Sequence, residues 1–190
     1  MKTLGIALKI VLVFTILTGM IYPLLVTGIA QVVFPHQANG SLILKDNKII
    51  GSELIGQQSD STIYFSSRPS AIGNNPLPSG GSNYGLTSKK LKDQFTERKN
   101  KFIAFNQLEK DAVVPSEMLF ASASGLDPHI SPEAALLQIN RIVKARNFSI
   151  VQKQKLKALV DKMSEAPQLT FLGESRVNVL LLNIALDKLN

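Results

Sequence analysis

The chain has no cysteine among its 190 residues. That absence removes disulfide staples, thiolate nucleophiles and zinc sites built on sulfur. Histidine is nearly as scarce. His36 and His129 stand 93 residues apart and form neither H-x-x-x-H nor H-E-x-x-H, so a histidine-based metal site has little to build on. A catalytic triad needs a histidine beside a nucleophile and a carboxylate. The sole candidate is His129, which follows Asp127 across Pro128, and a turn that orders the approach to a helix explains all three residues without chemistry. Spacing cannot place Glu165 and Glu174 relative to one another, so a paired-carboxylate glycosidase has no support.

Charge is missing from the start of the chain. From Ile10 to Phe34 twenty-five residues pass without a charged side chain. At about 1.5 Å per helical residue they reach about 37 Å, enough to cross a hydrocarbon core about 30 Å thick with some tilt. Lys9 interrupts a longer apolar run, and its stem can lie in lipid while the ammonium reaches the headgroups. After Lys2 and Lys9 no basic residue occurs before Lys45, a bias that places the N-terminus in the cytoplasm and everything after Phe34 outside. The expected organisation is a cytoplasmic tail over 1–9, a transmembrane anchor over 10–34 and one extracytoplasmic domain over 35–190. A cleaved signal peptide ending at Gly28, Ile29 and Ala30 is the competing reading. Signal cores run about 7 to 15 residues, whereas this one continues through Val32, Val33 and Phe34.

Within the span, Thr15, Gly19, Pro23 and Thr27 recur every four residues and lay small or hydroxyl side chains along one slowly drifting stripe. Lipid supplies no hydrophobic drive for helix pairing, so such a stripe suits close approach of a partner helix. Pro23 lacks a backbone donor and clashes with the carbonyl of Gly19, which predicts a kink.

With Lys2 and Lys9 set aside, nineteen basic residues face fourteen acidic ones, a net of +5. That balance is moderate, and clusters such as Lys89, Lys90 and Lys92 are explained by a solvated helix face rather than nucleic acid. The expected fold class is α+β: a single transmembrane helix, then one mixed domain with a small sheet and about four helices. Leu42 to Leu44 and Ile49 to Ile50 read as a hairpin turned by Asp46 and Asn47. Glu53 to Gln57 extends its second strand, and Ile63, Tyr64 and Phe65 add a third. Ser88 caps a helix to about Asn106 using Leu91, Phe95 and Phe102. Met118 to Ala123 reads as a strand. Ser131 with Pro132 and Glu133 starts a helix burying Leu136, Ile139, Ile142 and Val143. Ser149 with Gln152 forms a capping box before Leu156, Leu159, Val160 and Met163. Val177, Leu180, Leu181 and Ile184 make a last helix of about 13 residues, too short to cross a membrane.

Ser66 to Ser88 is almost devoid of apolar residues and rich in proline and glycine, which predicts a long loop. Ser79, Gly80, Gly81, Ser82 and Asn83 could nest an anion. A phosphate loop needs G-x-x-x-x-G-K-[ST], and no Lys-Ser or Lys-Thr pair follows these glycines, so structural turns or partner contact are the reading.

Six strings, taken in order, resemble the C subunit of the bacterial Kdp potassium-transporting ATPase. They are L-T-G-M-I-Y-P-L-L-V-T-G-I-A-Q (Leu17 to Gln31), F-P-H-Q-A-N-G-S-L (Phe34 to Leu42), R-P-S-A (Arg68 to Ala71), S-G-G-S-N (Ser79 to Asn83), S-G-L-D-P-H-I-S-P (Ser124 to Pro132) and L-G-E-S-R-V-N-V-L-L-L-N (Leu172 to Asn183). The family reads proline at Ser175 and an acid at Leu181, departures that touch local contacts. The resemblance implies an accessory subunit without catalysis or a metal of its own, in a bacterial inner-membrane pump that uses ATP, magnesium and potassium. Its partners would be a channel-like potassium-binding subunit, a P-type ATPase subunit and a small single-span peptide subunit. The family is described as a catalytic chaperone that raises the ATP affinity of the ATPase subunit. The motif residues Arg68, Pro69, Ser70, Gly80, Gly81, Ser82, Asn83, Asp127, Pro128 and His129 would be partner contacts. The contrasting expectation is a membrane-tethered periplasmic enzyme or binding protein acting alone.

Overall fold

A long run of apolar side chains without glycine pairs or internal caps favours uninterrupted helix, and the chain begins with one. The computed structural model describes residues 2–189 and falls into two units, Met1–Ser52 and Glu53–Asn190. In the first, α1 (Lys2–Ile16) and α2 (Tyr22–Val33) are joined by a π-helical turn, Leu17–Ile21. Pro23 explains that turn: with no N–H at Pro23 and its ring against the Gly19 carbonyl, the register widens just upstream. The Tyr22 N–H accordingly donates to the Leu17 carbonyl, five residues back. Together the segments make one helix of 32 residues with a mean hydropathy of 2.3 in its most apolar window, and none of that window is buried.

Pro35–Ala38 forms a single turn, α3, after which β1 (Leu42–Lys45) and β2 (Lys48–Ser52) pair as the expected hairpin. Asp46 and Asn47 both take positive φ, 51° and 60°, as a two-residue turn that matches strand twist requires. The register pairs Leu44 with Ile49 and Lys45 with Lys48, with a bulge beside Leu44.

In the second unit α4 (Lys89–Asn106), α5 (Pro132–Ala145), α6 (Ile150–Met163) and α7 (Val179–Leu186) surround one core, and β3 (His129–Ile130) pairs antiparallel with β4 (Val177–Asn178). The fold is α+β. The caps read from sequence are present: Ser88 accepts from the Leu91 N–H, Ser131 from Ala134, and Ser149 and Gln152 form the reciprocal box. Phe65, Ile142, Leu156, Val160, Val177, Leu182 and Leu186 are fully enclosed, each worth about 1.5–3 kcal/mol of burial.

Four sequence expectations are corrected. The second hairpin strand stops at Ser52 and is not extended over Glu53 to Gln57. Gly56 is instead drawn against another segment, its N–H donating to the Leu126 carbonyl at 2.7 Å. Ile63 to Phe65 is no strand, because side chains take the place of a neighbouring strand. The Asn183 amide accepts from the Phe65 N–H (2.8 Å) and donates to its carbonyl (2.9 Å), and Gln138 does the same for Ser66. Met118 to Ala123 follows a short 3-10 turn, Ser116–Met118, and the Ser122 N–H reaches the Pro69 carbonyl rather than a strand. The last helix has 8 residues, since Val177 and Asn178 are spent on β4; Leu182 and Leu186 face the core, and Leu180, Leu181 and Ile184 are half-buried.

Candidate functional site

Three separated motif strings meet in the second unit. Ser70 donates its hydroxyl to the Gly125 carbonyl at 2.8 Å, and the Gly80 N–H donates to the Ser124 carbonyl at 3.0 Å. Glycine is needed where these backbones touch. A Cβ on Gly81 would lie 2.9 Å from the Ala123 carbonyl oxygen, and one on Gly56 would lie 2.7 Å from that of Asp127. Arg68, Pro69, Ser70, Gly80, Gly81, Asp127, Pro128 and His129 are thereby gathered by backbone contacts. Ser82 is half-buried and Asn83 exposed, and Asn83 takes φ 52°.

Asp127 is the polar centre of this knot. Its Oδ2 accepts from Arg68 Nη1 at 2.6 Å, and its Oδ1 accepts from the His129 N–H at 3.0 Å and lies 3.4 Å from His129 Nδ1. Partial burial opposes the charged form, but hydrogen bonds from the His129 ring, the His129 N–H and Arg68 outweigh it and hold the carboxyl down at about 2. Arg68 Nε is buried without a partner. Both carboxylate oxygens are thus committed to holding loops together. The nearby hydroxyls are committed as well, Ser70 to Gly125 and Ser131 to the cap of α5. Among the described residues no serine bonds to His129, and no group of three or more His, Asp or Glu could hold a metal ion.

Beside the knot opens a cavity of about 770 Å³ whose lining includes Arg68, Glu117, Asp127, His129, Glu165, Glu174 and Arg176. It brings together Glu165 and Glu174, which spacing could not relate. Arg176 and Glu165 bridge the rim at 2.9 Å, both half exposed. Beyond them Leu169 and Thr170 take φ of 51° and 71°, a left-handed conformation costly for a β-branched residue. The tip they form leaves Leu169 and Phe171 each 74% exposed. Ser175 lines the cavity. At Leu181 the cap of α7 stands without an acid, since its N–H donates to Asn178 Oδ1 at 3.1 Å.

Thr15, Gly19, Pro23 and Thr27 lie in the other unit. All four are exposed along the helix, and nothing stands within 4 Å of a Cβ built on Gly19. Thr18, outside the stripe, is the threonine that bonds back, to the Phe14 carbonyl at 2.7 Å.

The residues that organise the second unit were not singled out from sequence. Arg141 is 2% exposed, and each of its five N–H groups has a bond. The acceptors are Asn106 Oδ1, the carbonyls of Ser61, Thr62 and Tyr64, and Gln138 Oε1. The guanidinium also lies 4.4 Å from the Phe105 ring centroid. Burial lowers its pKa to about 10, and it stays charged at neutral pH. One signal existed: Gln138 and Arg141 share the helical face of Ala134, Ala135 and Ile142, so two polar residues sit on an apolar stripe.

A long, unburied apolar helix joined in sequence to an α+β unit fits a single-span membrane protein, and the second unit is tied by an ionic loop knot. The family model described as "KdpC: K+-transporting ATPase, c chain" matches residues 4–188. The chain belongs to that family. It is 43% identical over 179 residues to the potassium-transporting ATPase KdpC subunit of Caldanaerobacter subterraneus subsp. tengcongensis, covering 94% of this chain and 91% of that one. To the subunit of the same name from Allorhizobium ampelinum it is 47% identical over 184 residues, with 95% and 93% covered. To that of Pectobacterium atrosepticum it is 44% identical over 191 residues, with 99% and 97% covered.

Proposed function

We propose that this chain is an accessory, non-catalytic subunit of the Kdp potassium-transporting ATPase, anchored in the bacterial inner membrane with its N-terminus in the cytoplasm and residues 35–190 outside. The observation that carries the reading is the 32-residue apolar helix, none of whose most apolar window is buried, in a chain that matches the family over residues 4–188. Apolar surface that its own fold leaves open is surface for lipid and for neighbouring helices. The Thr15, Gly19, Pro23 and Thr27 stripe clamps a channel-like potassium-binding subunit. Through that contact the chain supports the P-type ATPase subunit, with a small single-span peptide subunit as a further neighbour.

In this reading ATP, magnesium and potassium are bound by the partners. Only the first few residues share a compartment with cytoplasmic ATP, so a rise in the ATPase subunit's nucleotide affinity comes from assembly rather than contact. The outer residues stand over the potassium entrance. A net of +5 outside the anchor repels cations at long range, so any effect there comes from local geometry. The apolar tip at Leu169 and Phe171 and the cavity behind it form the face turned to the partner.

The test is copurification from solubilised membranes. Gly19→Leu, at a position where an added Cβ has nothing within 4 Å, should release the chain from the complex and raise the ATP concentration the pump requires. A variant that copurifies intact would sink the clamp. Protease added to spheroplasts should cut the outer residues, and protection of those residues would overturn the orientation.

A further inference from the structure

The hairpin β1–β2 belongs to the same unit as the long helix and presents an apolar face that its own unit leaves open. Leu44 and Ile49 are cross-strand partners, and they are 65% and 63% exposed. Lys45 and Lys48 also stand directly opposite one another. Side chains alternate across a ribbon, so this pair lies on the other face, flanking the turn at Asp46. Two cations in register repel unless an anion lies between them.

The hairpin is held close to the end of the helix. The Asn39 side-chain amide donates to Gln31 Oε1 in the last turns of α2 (3.3 Å) and to the Pro35 carbonyl (2.7 Å). The Ser41 N–H donates to the His36 carbonyl at 3.0 Å, and the Ser52 hydroxyl donates to the Gly40 carbonyl at 2.7 Å. From that root each strand runs four or five residues, a reach of about 13–17 Å at about 3.3 Å per residue. A bilayer's headgroup zone, about 5–8 Å deep on each side of the hydrocarbon, lies within that reach.

We propose that the hairpin is a foot on the bilayer. Leu44 and Ile49 lie in the boundary between headgroups and acyl chains, and Lys45 and Lys48 meet phospholipid phosphates. The inference rests on reading Lys2–Val33 as a span. A face this small would bind a membrane weakly by itself. The span supplies the missing affinity, because tethering turns a second contact into an intramolecular one.

The absence of cysteine makes the test clean. A single cysteine at Ile49, and separately one at Leu17, is labelled with the environment-sensitive dye NBD. Each full chain is placed in nanodiscs of phosphatidylcholine with and without phosphatidylglycerol. The dye at 49 should be quenched by lipids brominated near the carbonyl end and shielded from aqueous iodide. The dye at 17 should be quenched by deep bromines. Lys45→Gln with Lys48→Gln should weaken quenching at 49 severalfold, about fivefold per lysine at most, and only where phosphatidylglycerol is present. Quenching at 49 by iodide and not by lipid, with 17 still quenched from the deep bilayer, overturns the foot alone. Loss of deep quenching at 17 overturns the span and the foot together. Protection of 49 from both quenchers in the assembled pump assigns the face to a neighbouring subunit and also overturns the proposal.

Discussion

Along Lys2–Val33 the apolar side chains lie on the surface and no residue is buried, whereas the second unit keeps a cation, Arg141, within its interior at 2% exposure. The contrast follows from where backbone polar groups find partners. A helix satisfies its own N–H and C=O groups, so its surface is free to be apolar. Among its described residues the second unit has only two-residue strands, β3 and β4, and a long segment, 53–88, without helix or strand. Its backbone groups must be met by something else. Arg141, Gln138 and Asn183 reach that segment from α5 and α7 and bond residues 61–66 in place of a sheet.

The largest effect should come from removing the cation. Arg141→Met keeps most of the stem's volume but takes the donor from the carbonyls of Ser61, Thr62 and Tyr64, groups that no substitution can make apolar. Ser61 and Thr62 are exposed, so their carbonyls can turn to water, but the buried Asn106 Oδ1 and the half-buried Tyr64 carbonyl lose their donor. A buried unpaired group costs about 1–3 kcal/mol, so the loss should reach about 3 kcal/mol. Urea unfolding of the chain in detergent, followed by near-ultraviolet circular dichroism, measures it. Carbonate extraction should still find the variant in the membrane, because the helix depends on none of these bonds.

Next in size is Gly56→Ala. Its Cβ would meet the Asp127 carbonyl oxygen at 2.7 Å, with the Leu126 carbonyl oxygen at 3.1 Å. Backbone cannot swing aside as a side chain can, so the cost should be about 2–3 kcal/mol. The same unfolding curves check it, and an unchanged midpoint would show that the knot is looser than its contacts imply.

Asp127 gives a smaller, pH-dependent effect. Its folded pKa of about 2 lies below the ordinary 3.8, so its stabilisation is fully present above about pH 4 and is lost as pH falls toward 2. The drop should be at most about 2 kcal/mol, because the side chain keeps some solvent exposure. Asp127→Asn should flatten that part of the stability profile. A wild-type profile already flat between pH 4 and 2 would count against the loop knot as an ionic one.

What could be read in advance divides along the same line. The long apolar helix, the hairpin turn at Asp46 and Asn47, and the caps at Ser88, Ser131 and Ser149 depend on neighbours within a few residues, and all were legible. Ile63 to Phe65 has strand composition, but whether a strand forms depends on what stands opposite, and here that is Asn183, more than a hundred residues away. The Arg68 and Asp127 ion pair was likewise hidden by sequence separation, 59 residues. Motif resemblance brought both residues into view, yet only the fold shows that Arg68 and His129 converge on the Asp127 carboxylate.

The smallest prediction repeats the glycine substitution in the other region and expects the opposite sign. Gly19 sits within a helix and has nothing within 4 Å of a built Cβ, so Gly19→Ala should favour the isolated helix by about 1 kcal/mol through backbone entropy alone. In the assembled pump the added methyl stands where a partner helix would approach, and close packing there tolerates little. A slight stabilisation of the chain alone, joined to weaker copurification, would mark the stripe as an interface. Stabilisation without any effect on copurification would mark that face as one that meets only lipid.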